Sequence, residues 1–207
     1  MPTGFKGCLS SGLDAAANTA DPPASLGRRV SGARVIGLAG WSGSGKTTLL
    51  TKLIPRLVGQ GLKVSTLKHA HHDFDVDHPG KDSYAHRKAG AGEVVVSSAR
   101  RWVQMHEIGD GPEAGLAELL RRMSPCDLIL IEGFKADPHA KLEVYRQAVG
   151  KTPLHPSDPH IVAIASDAPF PHAGLPVAHL DDIEAIAALV AAHAEPLAVV
   201  LARLEQG

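Results

Sequence analysis

The run Gly40-Trp41-Ser42-Gly43-Ser44-Gly45-Lys46-Thr47-Thr48 has the residue types and spacing to hold a polyphosphate. Glycines at positions 40, 43 and 45 admit backbone conformations that a Cβ resists, so successive N–H groups can converge on phosphate oxygens. Lys46 adds a point charge for the β and γ phosphates of a nucleotide, and Thr47 supplies a hydroxyl of the kind that holds Mg²⁺. The spacing is that of a P-loop, GxxxxGKT, provided that a strand leads into it and a helix leaves it. Without those flanks it would be a glycine-rich turn with an incidental Lys-Thr pair.

A metal site beside such a loop needs a carboxylate at the carboxyl end of a neighbouring strand. The run Asp127-Leu128-Ile129-Leu130-Ile131-Glu132-Gly133 offers an acid at each end. At ~3.3 Å per residue the two lie roughly 16 Å apart, so only one can serve. Ligands of parallel sheets bind beyond the carboxyl ends of the strands, which selects Glu132 and leaves Asp127 to close the turn into the strand. Gly133 suggests a close backbone approach at the same end.

The densest set of potential metal ligands is Lys68-His69-Ala70-His71-His72-Asp73-Phe74-Asp75-Val76-Asp77-His78. On one reading it opens onto the phosphate edge, with Asp73 orienting a water or completing the Mg²⁺ shell and Lys68 near phosphate. On another, His69, His71 and Asp73 form a transition-metal centre, although Phe74 stands where an HxHxDH pattern needs histidine. On a third the loop is simply solvated. Downstream, Asp82 or Ser83 is expected to cap a short helix.

The elements that must position these residues follow from the apolar pattern. Strands are predicted over 35–39, 63–67, 93–97, 102–107, 128–131, 142–145 and 161–165. Helices are predicted over 46–58, 82–88, 112–123, 182–194 and 196–203. The strand–loop–helix context of the phosphate loop is therefore present. The alternation predicts a three-layer α/β/α fold of the P-loop NTPase class, with a mainly parallel sheet. The Ser98-Ala99-Arg100 link is too short for a parallel crossover, so its two strands should form an antiparallel hairpin. Residues 1–33 carry few large apolar side chains and read as a disordered extension, or as the product of a mis-assigned start, leaving 34–207 as the nucleotide-binding domain.

Composition narrows the partners. A net charge of -1 provides no field to gather nucleic acid or an anionic membrane, and aromatics at 4% leave little for a base-stacking platform. Two cysteines, Cys8 and Cys126, are far apart and form no CxxC pair, which points to a reducing compartment. No stretch approaches the ~18 apolar residues of a membrane span. A soluble, cytoplasmic protein is expected.

Together GWSGSGKTTLL, LKHAHHDFDVDHPGKDSYAHRKAGA, DLILIEGFK and VAIASD resemble the molybdopterin-guanine dinucleotide biosynthesis protein B (MobB) family, over residues 34 to about 185. The resemblance implies a homodimer that binds GTP with Mg²⁺, hydrolyses it weakly at most, and assists the guanylyltransferase MobA; it leaves open whether molybdopterin itself is bound. It carries phosphate binding onto Gly43, Ser44, Gly45, Lys46, Thr47 and Thr48, and the strand-end acid onto Glu132. The NKxD signature for guanine is absent. Ser166-Asp167 is the best substitute, since a carboxylate there could accept from guanine N1–H and the exocyclic amine; a plain Ser-Asp turn before Pro169 is the alternative. Twelve histidines, five of them from His69 to His86, motivate a second expectation, a metal-chaperone GTPase of the nickel-insertion kind.

Overall fold

The computed structural model describes residues 32–70, 74–170 and 172–206. The expected extension over 1–33 therefore falls almost wholly outside the described residues. Its last member, Ala33, is buried, and its carbonyl accepts a hydrogen bond from Leu197 N–H at 2.8 Å.

In chain order the elements are β1 (Arg34–Ala39), α1 (Lys46–Gly59), β2 (Val64–Lys68), α2 (Asp82–Lys88), β3 (Glu93–Ser97), β4 (Trp102–His106), α3 (Leu116–Arg122), β5 (Leu128–Glu132), β6 (Lys141–Tyr145), β7 (Ile161–Ser166), β8 (Val177–His179), α4 (Ile183–His193), β9 (Glu195–Pro196) and α5 (Leu197–Leu204). Six strands form a parallel sheet in the order β2-β5-β1-β6-β7-β8. The short β9 pairs antiparallel with the amino end of β1, Val35 opposite Glu195, on a strand whose other half pairs with β6. The predicted hairpin is present as a separate two-stranded sheet of β3 and β4.

Period-two alternation sends the side chains of each central strand to opposite faces. Ile36, Leu38, Leu128 and Leu130 pack with α1 and α4, whereas Val35, Ile129 and Ile131 pack with α3 and α5. Two helical layers thus cover one sheet. Helix α1 buries Leu49, Leu50, Leu53 and Leu57, the one-face spacing of a helix. At about 1.5–3 kcal/mol per buried aliphatic side chain, that stripe fixes the helix firmly behind the phosphate loop.

Four elements differ from the sequence expectation. The helix read over 112–123 begins only at Leu116, because Glu113 is drawn to His69 at 2.6 Å. Helix α2 is entered through Lys81, without a side-chain cap, rather than through Asp82 or Ser83. The short strands β8 and β9 had no sequence signal. Asp127 does close the turn into β5, accepting from Lys63 N–H at 2.7 Å.

Candidate functional site: a phosphate loop at the carboxyl edge of the sheet

Strand β1 ends in the middle of the sheet, and the chain turns at Gly40 into a tight loop. A Cβ on Gly40 would lie 2.6 Å from the Val144 carbonyl oxygen and 2.7 Å from Ser44 Oγ, so only glycine fits. Gly45, at φ 93°, starts α1 with no side-chain cap. The first N–H groups of α1 are therefore left for an anion in front of the helix. Lys46 folds back along the loop, donating to the carbonyls of Gly40 at 2.8 Å and Trp41 at 3.0 Å. Burial lowers its pKa, and Lys135 and Lys68 push the same way while Glu132 opposes them.

Glu132 ends β5 in register with Lys68 of β2. Its carboxylate accepts from Thr47 Oγ1 at 3.0 Å and lies 3.7 Å from Lys68 Nζ. Two strand ends and the helix start thus converge on one point. A hydroxyl beside a carboxylate is the hard oxygen donor set that Mg²⁺ takes. The other expected loop residues are distributed unevenly. Ser42 and Thr48 are exposed, and Ser44 is buried with an Oγ that has no hydrogen-bond partner.

Ser166 and Asp167 reach the same edge from β7, on the opposite side of the loop from Glu132. Ser166 is buried and its Oγ accepts from Ala168 N–H at 2.8 Å. Asp167 accepts from Gln147 N–H at 2.8 Å and faces Arg146 at 3.7 Å, so any base it reads must share a carboxylate already in use. Asp73, with His71 and His72, lies outside the described residues. Of the other acids in that loop, Asp75 (2.7 Å) and Asp77 both bind Arg87, which also binds Glu107 at 2.8 Å, tying the loop to the hairpin. Among the described residues no three His, Cys, Asp or Glu side chains gather as a metal ion would require.

Several neighbours of the loop carried no sequence signal. The close approach expected at Gly133 exists, but towards His69: a Cβ on Gly133 would fall 2.5 Å from His69 Cβ. Trp41 donates its indole N–H to Thr152 O at 2.8 Å. Lys135 and Lys151 both lie over that indole, at 5.5 and 5.9 Å from the ring centroid. Beside the loop, over the ends of β2 and β5, opens a cavity of about 860 Å³ whose lining includes Trp41, Lys46, Lys68, Phe134 and Lys135. Only the run Glu132-Gly133-Phe134-Lys135 at the end of β5 could have drawn attention to Lys135 beforehand.

An uncapped helix start, glycines at positive φ, a half-buried lysine and an oxygen pair at the strand end fit a magnesium polyphosphate. Comparison with known proteins shows the family. The family model described as molybdopterin guanine dinucleotide synthesis protein B matches residues 35–167. A "Molybdopterin-guanine dinucleotide biosynthesis adapter protein" of Escherichia coli (strain K12) is 48% identical over 161 residues, covering 75% of this chain and 90% of the relative. A protein of the same name from Haemophilus influenzae is 41% identical over 137 residues, covering 66% and 76%. The crystal structure of Bacillus subtilis MobB superposes with a TM-score of 0.60 at 25% identity, over 78% of this chain and 98% of that one. With the phosphate loop, the strand-end acid and the matched span in agreement, the chain is a member of the molybdopterin guanine dinucleotide synthesis protein B, or MobB, family.

Proposed function

We propose that this protein is a GTP-binding adapter of molybdopterin guanine dinucleotide biosynthesis, working in the cytoplasm with the guanylyltransferase MobA. One observation carries the nucleotide part: Lys46, Thr47 and Glu132 meet at the mouth of an uncapped helix start. The adapter part is supported by the names of the relatives, two of them above 40% identity.

In this reading the loop from Gly40 to Thr48 takes the phosphates through its N–H groups, and Lys46 exchanges its two carbonyl partners for phosphate oxygens. Thr47 and Glu132 would hold Mg²⁺, which would offset the negative charge of the phosphates. Asp167, opposite, reads guanine. Glu132 is held by Thr47 and Lys68, which suits a metal ligand better than a free general base, so turnover is slow. Asp73 is proposed to orient water or to complete the metal shell.

The assembly is proposed to be a homodimer. The exposed Val95 and Trp102 of the hairpin, at 57% and 62% of full exposure, support self-association. The His-rich alternative of nickel insertion has no gathered ligand set among the described residues and no support from the relatives.

Calorimetry with purified protein should show Mg²⁺-GTP binding more tightly than Mg²⁺-ATP, and immobilised protein should retain MobA. A clear preference for ATP would remove the guanine assignment, and failure to retain MobA would remove the adapter assignment.

A further inference from the structure

The turn that follows Glu132 is more elaborate than a metal ligand requires. Phe134 has φ 48°, and among the described residues it alone adopts positive φ without being glycine. Such a backbone costs free energy and persists where its surroundings hold it. Here they do: the Phe134 ring lies 4.7 Å from that of His69, Gly133 is pressed against His69, and Asp137 N–H closes the turn on Phe134 O at 3.1 Å. The effect is to reverse the chain immediately after β5. Lys135 then lies back over the phosphate loop, with its ammonium on the Trp41 indole.

That position has a direction. Thr47 and Glu132 are the residues that would hold a metal, which would offset the negative charge of a nucleotide's phosphates. Asp167 and Arg146 lie on the other side, across β1 and β6. Lys135 lines the same cavity as Lys46, Lys68 and Glu132, on the Glu132 side of the loop rather than the Asp167 side. Lys46, Lys68 and Lys135 line the cavity with three acids: Glu132, Glu113, which is taken by His69, and Asp137 at the end of the turn. An ammonium over an indole is held less strongly than one hydrogen-bonded to a phosphate oxygen, so transfer from ring to phosphate runs downhill.

We propose that Lys135 distinguishes triphosphate from diphosphate: on triphosphate binding its ammonium leaves the Trp41 ring for the terminal phosphate, and the strained turn after β5 registers which nucleotide is bound. This rests on the nucleotide-binding reading above and adds a specificity residue to it. Trp41 is the built-in reporter, since the chain has only one other tryptophan, Trp102, on the hairpin.

The test uses the full chain with Trp102→Phe, so that Trp41 is the sole indole. Mg²⁺-GDP and a non-hydrolysable Mg²⁺-GTP analogue are titrated, with dissociation constants from calorimetry and Trp41 emission recorded in parallel. Either nucleotide takes Lys46 from the Trp41 carbonyl and should alter Trp41 emission, and the analogue, which also draws Lys135 off the ring, should alter it further. Lys135→Met, which keeps an unbranched stem over the ring, should weaken the analogue about tenfold, or about 1.4 kcal/mol, and GDP less than about threefold. Lys135→Arg should restore the difference, because it returns the positive charge. Equal losses for both nucleotides, or no loss for either, overturn the role of Lys135 while leaving nucleotide binding intact. Failure of the unsubstituted protein to bind either nucleotide overturns the nucleotide reading and this proposal with it. A melting temperature for Lys135→Met equal to that of its parent is the expected folding control; if it is lower, the Lys135→Arg measurement decides the matter by itself.

Discussion

The two halves of the parallel sheet use charge in opposite ways. Around the ends of β1, β2 and β5, charged and polar groups gather at a cavity: Glu132 contacts Thr47 and Lys68, and Lys46 is held by the Gly40 and Trp41 carbonyls. On β6, by contrast, the charges lie within the fold. Lys141 and Glu143 are each 1% exposed. Lys141 pairs with Asp158 at 2.9 Å; Glu143 accepts from Leu154 N–H at 2.5 Å, from His155 N–H at 3.0 Å and pairs with the His155 ring at 2.8 Å. The outer groups can give up their partners to a ligand. The inner ones hold the 151–160 segment, which covers that face of the sheet where no helix does, and through Thr152 they also steady Trp41. The difference is one of place: Lys68 and Glu132 stand at the carboxyl ends of their strands beside a cavity, whereas Lys141 at the amino end of β6 and Glu143 within it are buried.

The largest effect that would break this contrast is expected inside β6. Glu143→Ala leaves two backbone N–H groups and the His155 ring without their carboxylate, and breaking such a buried set costs about 3–5 kcal/mol. Denaturant titration should show this loss, and nucleotide affinity measured on the remaining folded protein should change little.

Next comes His139, fully buried beside Gly37 with neither ring nitrogen hydrogen-bonded. Burial lowers its pKa to about 4, with the Lys141 ammonium adding in the same direction. The folded value lies below that of the unfolded chain, so the unfolded state takes up the proton first. The stability contributed by the neutral ring is complete above about pH 6.5 and declines as pH falls towards 4. Between pH 7 and 4.5 the loss should be on the order of 2–3 kcal/mol, and His139→Met should flatten that part of the profile.

At the rim the pattern reverses. Lys46→Ala should weaken Mg²⁺-GTP binding on the order of a hundredfold, since a charge-assisted contact in a partly desolvated cradle is lost, while the melting temperature without nucleotide stays within a few degrees. An unchanged dissociation constant would show that the loop is not the phosphate site. Smallest is Glu132→Gln, which should cost about tenfold in the presence of Mg²⁺ and less than about twofold in its absence. Similar losses under both conditions would mean that Glu132 is structural after all, and the contrast between the halves would be weaker than drawn here.

Much of the architecture could be read before the structure. The long apolar strands and α1 were legible because alternation and flanking glycines agree with the local fold. Strands β8 and β9 were not, since two or three residues beside Pro176 or including Pro196 carry no period. The sequence places the start of α3 too early because Pro112 to Gly115 look like a helix entrance, yet the Glu113 side chain is bound by His69, a partner far away in the chain. The same holds for the site. Gly40 to Thr48 and Glu132 are defined by neighbours in sequence, and the structure brings Lys46, Thr47 and Glu132 together. Lys141 and Glu143 alternate with Leu142 and Val144, which reads as a strand with one solvated face. Only the three-dimensional path of residues 151–160 reveals that this face is covered.

The two-residue β9 joins distant ends of the chain. By pairing with Arg34 and Val35, and with Glu195 accepting from Ala140 N–H and bound by Arg203, it clasps the very strand that leads into Gly40. Severing the chain before Glu195 would thus be felt at the nucleotide cradle some distance away. Protein shortened there should bind guanine nucleotides poorly although every residue of the cradle is intact, and an affinity handle fused after α5 should be placed on a flexible spacer so that the clasp can still shut.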